Sequence, residues 1–256
     1  MSIWVLRGLR DGVVTTRWPA RPDEYAESWR GPVRALGPVD SVDPDLCPTG
    51  AISAQGVDRG RCILCGRCVA ERPDLFGWSR GVTGPAALTR EQLIIPELPE
   101  TDAAVAAARA GLAERTRALR RSVHVRHVDA GSDGSEEWEI QALLGPVYDL
   151  HRLGVFFTAS PRHADVLLVT GAGARGMADP LRTTYEAMPD PRVVIAAGTD
   201  AVSGGLLARS EATTGGVITT VPVDIFLAGS PPSPFGILTA LLIAVGKLAD
   251  GGRETR

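Results

Sequence analysis

All four cysteines of this chain lie between positions 47 and 68. Cys62, Cys65 and Cys68 repeat at two-residue spacing, and Cys47 stands ahead of them, followed by Pro48. A secreted disulfide framework normally spreads its cysteines through the fold, so this clustering points to a metal site. Three thiolates at CxxCxxC spacing wrap one 4Fe-4S cubane, and a distant Cys-Pro closes the fourth corner. Gly60 and Gly66 would let the backbone bend closely around a cluster whose sulfurs accept peptide N–H groups. A zinc knuckle also takes four thiolates, but usually from two CxxC pairs. The pattern predicts one 4Fe-4S cluster on Cys47, Cys62, Cys65 and Cys68, with structural zinc as the alternative.

The remaining sequence narrows the setting. With 256 residues, 44% of them hydrophobic and 22% charged, the chain suffices for one large domain or two small ones. A formal net charge of -3 provides no global basic field for nucleic acid or an anionic membrane. The longest strongly apolar stretch, Phe235 to Val245, falls far short of the roughly 20 residues that cross a bilayer. The opening MSIWVLRGLRDG has no signal-peptide core, so a cytoplasmic protein is expected, without a membrane span of its own.

Residues 1–95, rich in Pro, Gly and Arg, read as a small loop-rich module held together by its cofactor. Residues 96–121 contain a run of strong helix formers from a Thr101 cap to terminal arginines, a helix joining two domains. In residues 122–256, apolar strand-like runs (SVHVRHVDA, VFFTAS, ADVLLVTGAG, RVVIAAG, VDIFLAG) alternate with helical ones (DPLRTTYEAM, FGILTALLIAVGKLA). That rhythm predicts an α/β domain on a mostly parallel sheet. Its strands run into loops at Gly131, Gly171 to Gly173, Gly198 and Gly229, which should converge on one crevice at their carboxyl ends.

The cysteine segment resembles a bacterial two-cluster ferredoxin domain that has lost one cluster, a small α+β fold. Cys47-Pro48-Thr49-Gly50-Ala51-Ile52 is similar to the end of a first CxxCxxCxxxCP run, whose earlier cysteine positions fall here on Gly37, Asp40 and Asp43. The second run keeps Cys62, Cys65 and Cys68, and its last position falls on Arg72, before Pro73. Each run lends its last cysteine to the other cluster, so the resemblance implies one cluster with all four ligands and one with none. The upstream WVLRGLRDGVVTTRWPA resembles the lead-in of ferredoxin-type subunits of complex I and related hydrogenases.

Residues from about 120 to 248 resemble the small subunit of membrane-bound nickel-iron hydrogenases, formate hydrogenlyase and complex I, the 20 kDa subunit family. The resemblance rests on RSVHVRHVDAGS, SPRHADVLLVTG, LRTTYEAMPDPRVVIAAG and VPVDIFLAGSPPSP, in that order. It implies a flavodoxin-like fold and a 4Fe-4S cluster held by cysteines in three strand-end loops. By position those ligands correspond to Asp133, Glu136, Asp200 and Ser230, none of which is cysteine. Carboxylates and a hydroxyl are poor substitutes for thiolates toward an iron-sulfur cubane, so this second cluster is expected to be absent. Polar filling of a vacated pocket is preferred over a hard cation such as magnesium on Asp133, Glu136 and Asp200.

Other patterns carry less. His124 and His127, three residues apart in a strand, point to opposite faces and read as structural; His163 reads as a surface or capping residue. Gly171, Gly173 and Gly176 spell GxGxxG, but no acidic residue follows a second strand as a dinucleotide site requires. No general acid, base or nucleophile is assigned. The expectation is an electron-transfer subunit docked to a hydrogenase-like or complex I-like large subunit, peripheral to the membrane through its partners. The alternative is a structural subunit of a redox-derived membrane complex whose relay is cut.

Overall fold

The computed structural model describes residues 3–26, 28–81, 84–96, 102–119, 122–207 and 209–248. Helix α1 (Ile3–Asp11) buries none of its side chains. Strand β1 (Arg30–Ala35) begins a small unit that continues through β2 (Ile52–Ser53), β3 (Gly56–Asp58), α2 (Arg67–Glu71) and β4 (Phe76–Arg80). Strands β1 and β4 pair antiparallel, with Val33 opposite Trp78 and Ala35 opposite Phe76. Val33, Val39, Val42, Leu46, Ile52, Val57 and Phe76 form the unit's own core, against which Cys47, Cys62 and Cys68 pack.

After β4 the chain visits both units. Strand β5 (Ala86–Ala87) pairs antiparallel with the edge of the large sheet, whereas β6 (Ile94–Ile95) returns to pair with β3. The segment before β1 also belongs elsewhere. Trp18 and Ala26 are buried in the core of the α/β unit, Thr16 N–H donates to the Val147 carbonyl at 2.8 Å, and Arg152 donates to the Trp18 carbonyl. Residues 1–95 are therefore not one packing unit. Composition marks a segment as loop-rich without indicating which core its few aromatic side chains enter.

The joining helix is α3 (Ala103–Thr116). Its cap is Asp102, whose carboxylate accepts from the N–H groups of Ala104 and Val105; Thr101, expected as the cap, lies outside the described residues, as do Arg120 and Arg121. Leu112 enters the α/β core and Arg115 pairs with Asp224, so the helix is part of that unit's wall.

The large sheet holds β7 (Val123–Asp129), β8 (Val155–Phe157), β9 (Val166–Thr170), β10 (Val193–Ala197) and β11 (Ile225–Leu227), interleaved with α4 (Ser135–Ala142), α5 (Ala178–Glu186), α6 (Thr199–Ser203) and α7 (Pro234–Ala244). Its order is β8-β7-β9-β10-β11-β5, and every pairing among β7 to β11 is parallel. Taken along the chain, the parallel strands lie in the order 2-1-3-4-5, the flavodoxin-like winding. The predicted α/β class and the small iron-sulfur-type unit preceding it are both found.

Side-chain alternation builds two cores. Val166, Leu168, Val193, Ile195, Ile225 and Leu227 face α7, while Leu167, Val169, Val194, Ala196 and Phe226 face Leu181 of α5 and Ala201 of α6. Every residue of α7 is buried, with the Trp18 and Tyr148 rings edge-on to Phe235 at 5.8 and 5.1 Å. This explains its almost wholly apolar sequence, in which the one hydroxyl, of Thr239, donates to the Phe235 carbonyl at 2.8 Å. Among the described residues no helix is long and apolar enough to cross a membrane.

Candidate iron-sulfur centre and strand-end crevice

Cys47 follows a short helical turn, Pro44–Leu46, closed by Leu46 N–H on the Asp43 carbonyl at 3.0 Å. The Ala51 N–H donates to Cys47 Sγ at 3.2 Å, the peptide-to-sulfur bond expected around a cluster. Thr49 Oγ1 donates to the Arg61 carbonyl at 2.7 Å, tying this turn to the start of the CxxCxxC loop. In that loop Leu64 and Gly66 take left-handed conformations (φ 56° and 75°), which wrap the chain before α2 presents Cys68. A Cβ at Gly66 would lie 2.9 Å from the Trp78 ring. Gly60 behaves differently from expectation: its φ is not left-handed, and its close neighbour is the Arg90 guanidinium, itself paired with Asp58 at 2.6 Å.

The four cysteines line one cavity together with Pro48, Ala51, Ile52 and Val57. All four are free thiols, and Cys65 is exposed. Burial pushes the Cys62 thiol up to about 11, against the pull of the Leu64 N–H, and the other three sulfurs push it further. Cys68 is raised as well, again mainly by burial. Four thiolates so close in an apolar cavity require compensating positive charge, which a cluster's iron would supply. Among the described residues no three His, Cys, Asp or Glu side chains are grouped as ligands of a single ion. A cubane needs no such convergence, because each thiolate binds a different iron.

The strand-end loops converge as predicted. A Cβ at Gly171 would lie 2.5 Å from the backbone of Gly131 and Ser132, and one at Gly198 would lie 2.5 Å from Glu136 Oε1. Thr199 N–H donates to the Gly229 carbonyl at 2.7 Å. At the switch point between β7 and β9, Glu137 accepts from Ser132 Oγ at 2.6 Å and from Thr170 Oγ1 at 2.5 Å, and His127 Nε2 lies 3.0 Å from Thr170 Oγ1. Burial lowers the His127 pKa, opposed by Glu137 and Asp129. His127 thus braces the loop that carries Asp133. His124 sits beside Asp165 and Phe156, and His163 is on the surface. In the GxGxxG loop, Gly171 and Gly173 touch neighbouring loops and the N–H groups of Ala172 and Ala174 are taken by the carbonyls of Gly131 and Ala130, an arrangement unlike a phosphate cradle.

Asp133, Glu136 and Asp200 sense one another's charge but, among the described residues, are not grouped as ligands of a single ion. Asp133 is exposed, and its carboxylate is held low by Ser135. Glu136 is 1% exposed; burial first, then the charges of Asp200 and Asp133, raise it to about 7. Asp200 is raised by burial and by Asp133. Ser230 follows Gly229 in the third loop.

A carboxyl whose folded pKa lies above its ordinary 4.5 stabilises the fold below that pH and loses the contribution as pH rises through about 7. Glu136→Gln is expected to change stability little at pH 5 and to raise it by up to about 3 kcal/mol at pH 8. Urea unfolding of both proteins at the two pH values checks this, and equal differences at both would refute it.

Residues 134–244 match the family described as NADH ubiquinone oxidoreductase, 20 Kd subunit, and residues 56–110 match a 4Fe-4S single cluster domain. The second match contains Cys62, Cys65 and Cys68 but begins after Cys47. Over 138 residues the chain is 40% identical to the probable membrane-bound hydrogenase subunit mbhJ of Pyrococcus furiosus, covering 54% of this chain and 83% of that protein. The chain belongs to the 20 Kd subunit family. Formate hydrogenlyase subunit 7 of Escherichia coli is 37% identical over 154 residues, 60% of this chain, and the match spans 59% of that relative's length. A chain in the structure of the membrane-bound sulfane sulfur reductase (MBS), an archaeal respiratory membrane complex, is 28% identical, with 53% of this chain and 77% of that one covered and a TM-score of 0.45.

Two features of the site were not read from the sequence. One is Thr199, whose Oγ1 donates to the Cys62 carbonyl at 3.0 Å. The other is a set of exposed apolar side chains that follow the strand-end loops, Trp138 in α4 at 77% exposure and Leu206, Leu207 and Ile218 after α6. Apolar residues following Gly-containing turns are the available sequence signal for these side chains; nothing in the local sequence around Thr199 signals its contact.

Proposed function

We propose that this member of the 20 Kd subunit family binds one 4Fe-4S cluster through Cys47, Cys62, Cys65 and Cys68 and acts as an electron-transfer subunit of a hydrogenase-like or complex I-like oxidoreductase. The observation that carries this reading is the single apolar cavity lined by all four thiols, with a peptide N–H already aimed at Cys47 Sγ. When bound, the cluster supplies one-electron transfer. The chain's residues hold it, exclude water on the Ile52 and Val57 side, and direct N–H groups at the sulfurs, which tunes the potential. The strand-end crevice, cysteine-free at Asp133, Glu136, Asp200 and Ser230, carries no second cluster in this reading. The exposed apolar side chains that follow its loops, Trp138, Leu206, Leu207 and Ile218, are offered to a large subunit in this reading. The complex would place this subunit peripherally on the cytoplasmic side of a membrane. The carboxylates at the vacated positions favour the second reading, a docking subunit without a relay.

Anaerobic purification followed by iron, sulfide and zinc analysis and electron paramagnetic resonance tests the assignment. About four irons and four sulfides per chain, with one dithionite-reducible signal lost in Cys65→Ser, are expected. Near eight irons would restore the second cluster, and zinc without sulfide would leave only the structural reading.

A further inference from the structure

The small unit's cysteine loop is tied to the strand-end crevice by one buried side chain. Thr199 is fully buried at the start of α6. Its Oγ1 donates to the Cys62 carbonyl at 3.0 Å and accepts from the Gly229 N–H at 3.3 Å, so the hydroxyl bridges both units and both of its roles are used. The residue before it, Gly198, is closed against Glu136, and the residue after it is Asp200. Cys62, Leu64, Glu139, Gly229 and Pro231 share one cleft between the units. The loop that supplies the first thiol of the wrap therefore rests on the loops where the resemblance places the absent cluster's ligands.

We propose that Thr199 is a positioning residue that fastens the Cys62 edge of the ferredoxin-like cluster into the strand-end crevice, so that this cluster itself faces the docked partner. The relay is then shortened rather than cut. This inference rests on the cluster assignment made above and adds where the cluster points. A hydroxyl donating to the carbonyl of a ligand residue fixes that ligand's orientation and contributes to the cluster's potential, as outer hydrogen bonds do at metal sites generally. Valine at 199 keeps the shape but strands the half-buried Cys62 carbonyl and the buried Gly229 N–H, whereas serine keeps the hydroxyl.

The test uses the full chain purified anaerobically with its cluster. A trifluoromethyl tag, whose fluorine resonance survives dithionite, is attached after cluster assembly at Glu139→Cys, in the shared cleft, or at Glu186→Cys, at the far end of α5. On reduction with dithionite, the label at 139 is expected to relax several-fold faster than the label at 186. Thr199→Val should remove most of that difference and shift the reduction potential, and Thr199→Ser should retain both parent values. Equal relaxation at the two labels in the parent overturns the latch, as does a Thr199→Val protein with intact cluster and unchanged values. Absence of any reducible signal in the parent overturns the cluster assignment, and the latch falls with it.

Discussion

Cys62→Ser is expected to abolish cluster binding, with iron and sulfide falling from about four of each per chain to near zero. In the proposed centre, Cys62 is the thiol through which most of the site is built. Its thiol is packed against the small unit's core, its protonation is set by burial and by the other three sulfurs, and its carbonyl receives Thr199. Serine offers a hard, protonated oxygen where iron in a cubane requires a soft thiolate. The consequence extends to folding. The small unit's core is modest and its sheets are two- and three-stranded, so cofactor binding and order of this region are linked. Limited proteolysis of Cys62→Ser should cut within residues 36–75 while sparing the α/β unit. Arg72→Ala, which removes only an exposed ion pair with Asp74, serves as the control that retains iron. Full iron in Cys62→Ser would remove Cys62 from the ligand set.

Much of this arrangement is legible in the sequence because it depends on short-range pattern. The five residues Val166–Thr170 are all buried, as a strand covered on both faces requires, and the apolar run identified them. Gly171 follows such a strand and must turn sharply, so the loop could be placed before its neighbours were known. The cysteine spacing likewise encodes its chemistry locally. Contacts that span the chain are not legible in this way. Thr199 and Cys62 are 137 residues apart, and nothing in GTDAVS distinguishes a threonine that caps its own helix from one that reaches another unit. Trp18 was similarly silent: its neighbours are loop-like, but its ring packs on Phe235 of α7. Gly60 shows the opposite error. Its place beside the cysteines suggested a bend around a cluster, yet the space it leaves is filled by Arg90. Helix α4 was also unread, because its eight residues mix the buried Glu136 and Ile140 with the exposed Trp138 and give no clean amphipathic period.

Gly171→Ala is expected to cost about 3 to 5 kcal/mol of stability, whereas Gly176→Ala, five residues on in the same GxGxxG string, should stay within about 0.5 kcal/mol. Two effects add at Gly171. Its φ of 85° is left-handed, which an L side chain adopts only with strain, and its Cβ would lie 2.5 Å from the backbone of Gly131 and Ser132. Backbone cannot step aside as a flexible side chain can. The Ser132 loop is moreover pinned by Asp129, whose carboxylate accepts from the N–H groups of Gly131 and Ser132 at 2.8 and 2.7 Å. Gly176 has open space around its Cβ and no left-handed φ. If GxGxxG were instead a phosphate cradle, both glycines would matter to ligand binding and neither specifically to the approach of β7 and β9. Denaturant unfolding of the two variants separates these cases. A large loss at 171 with none at 176 means that Gly171 is there to let the switch-point loops after β7 and β9 touch.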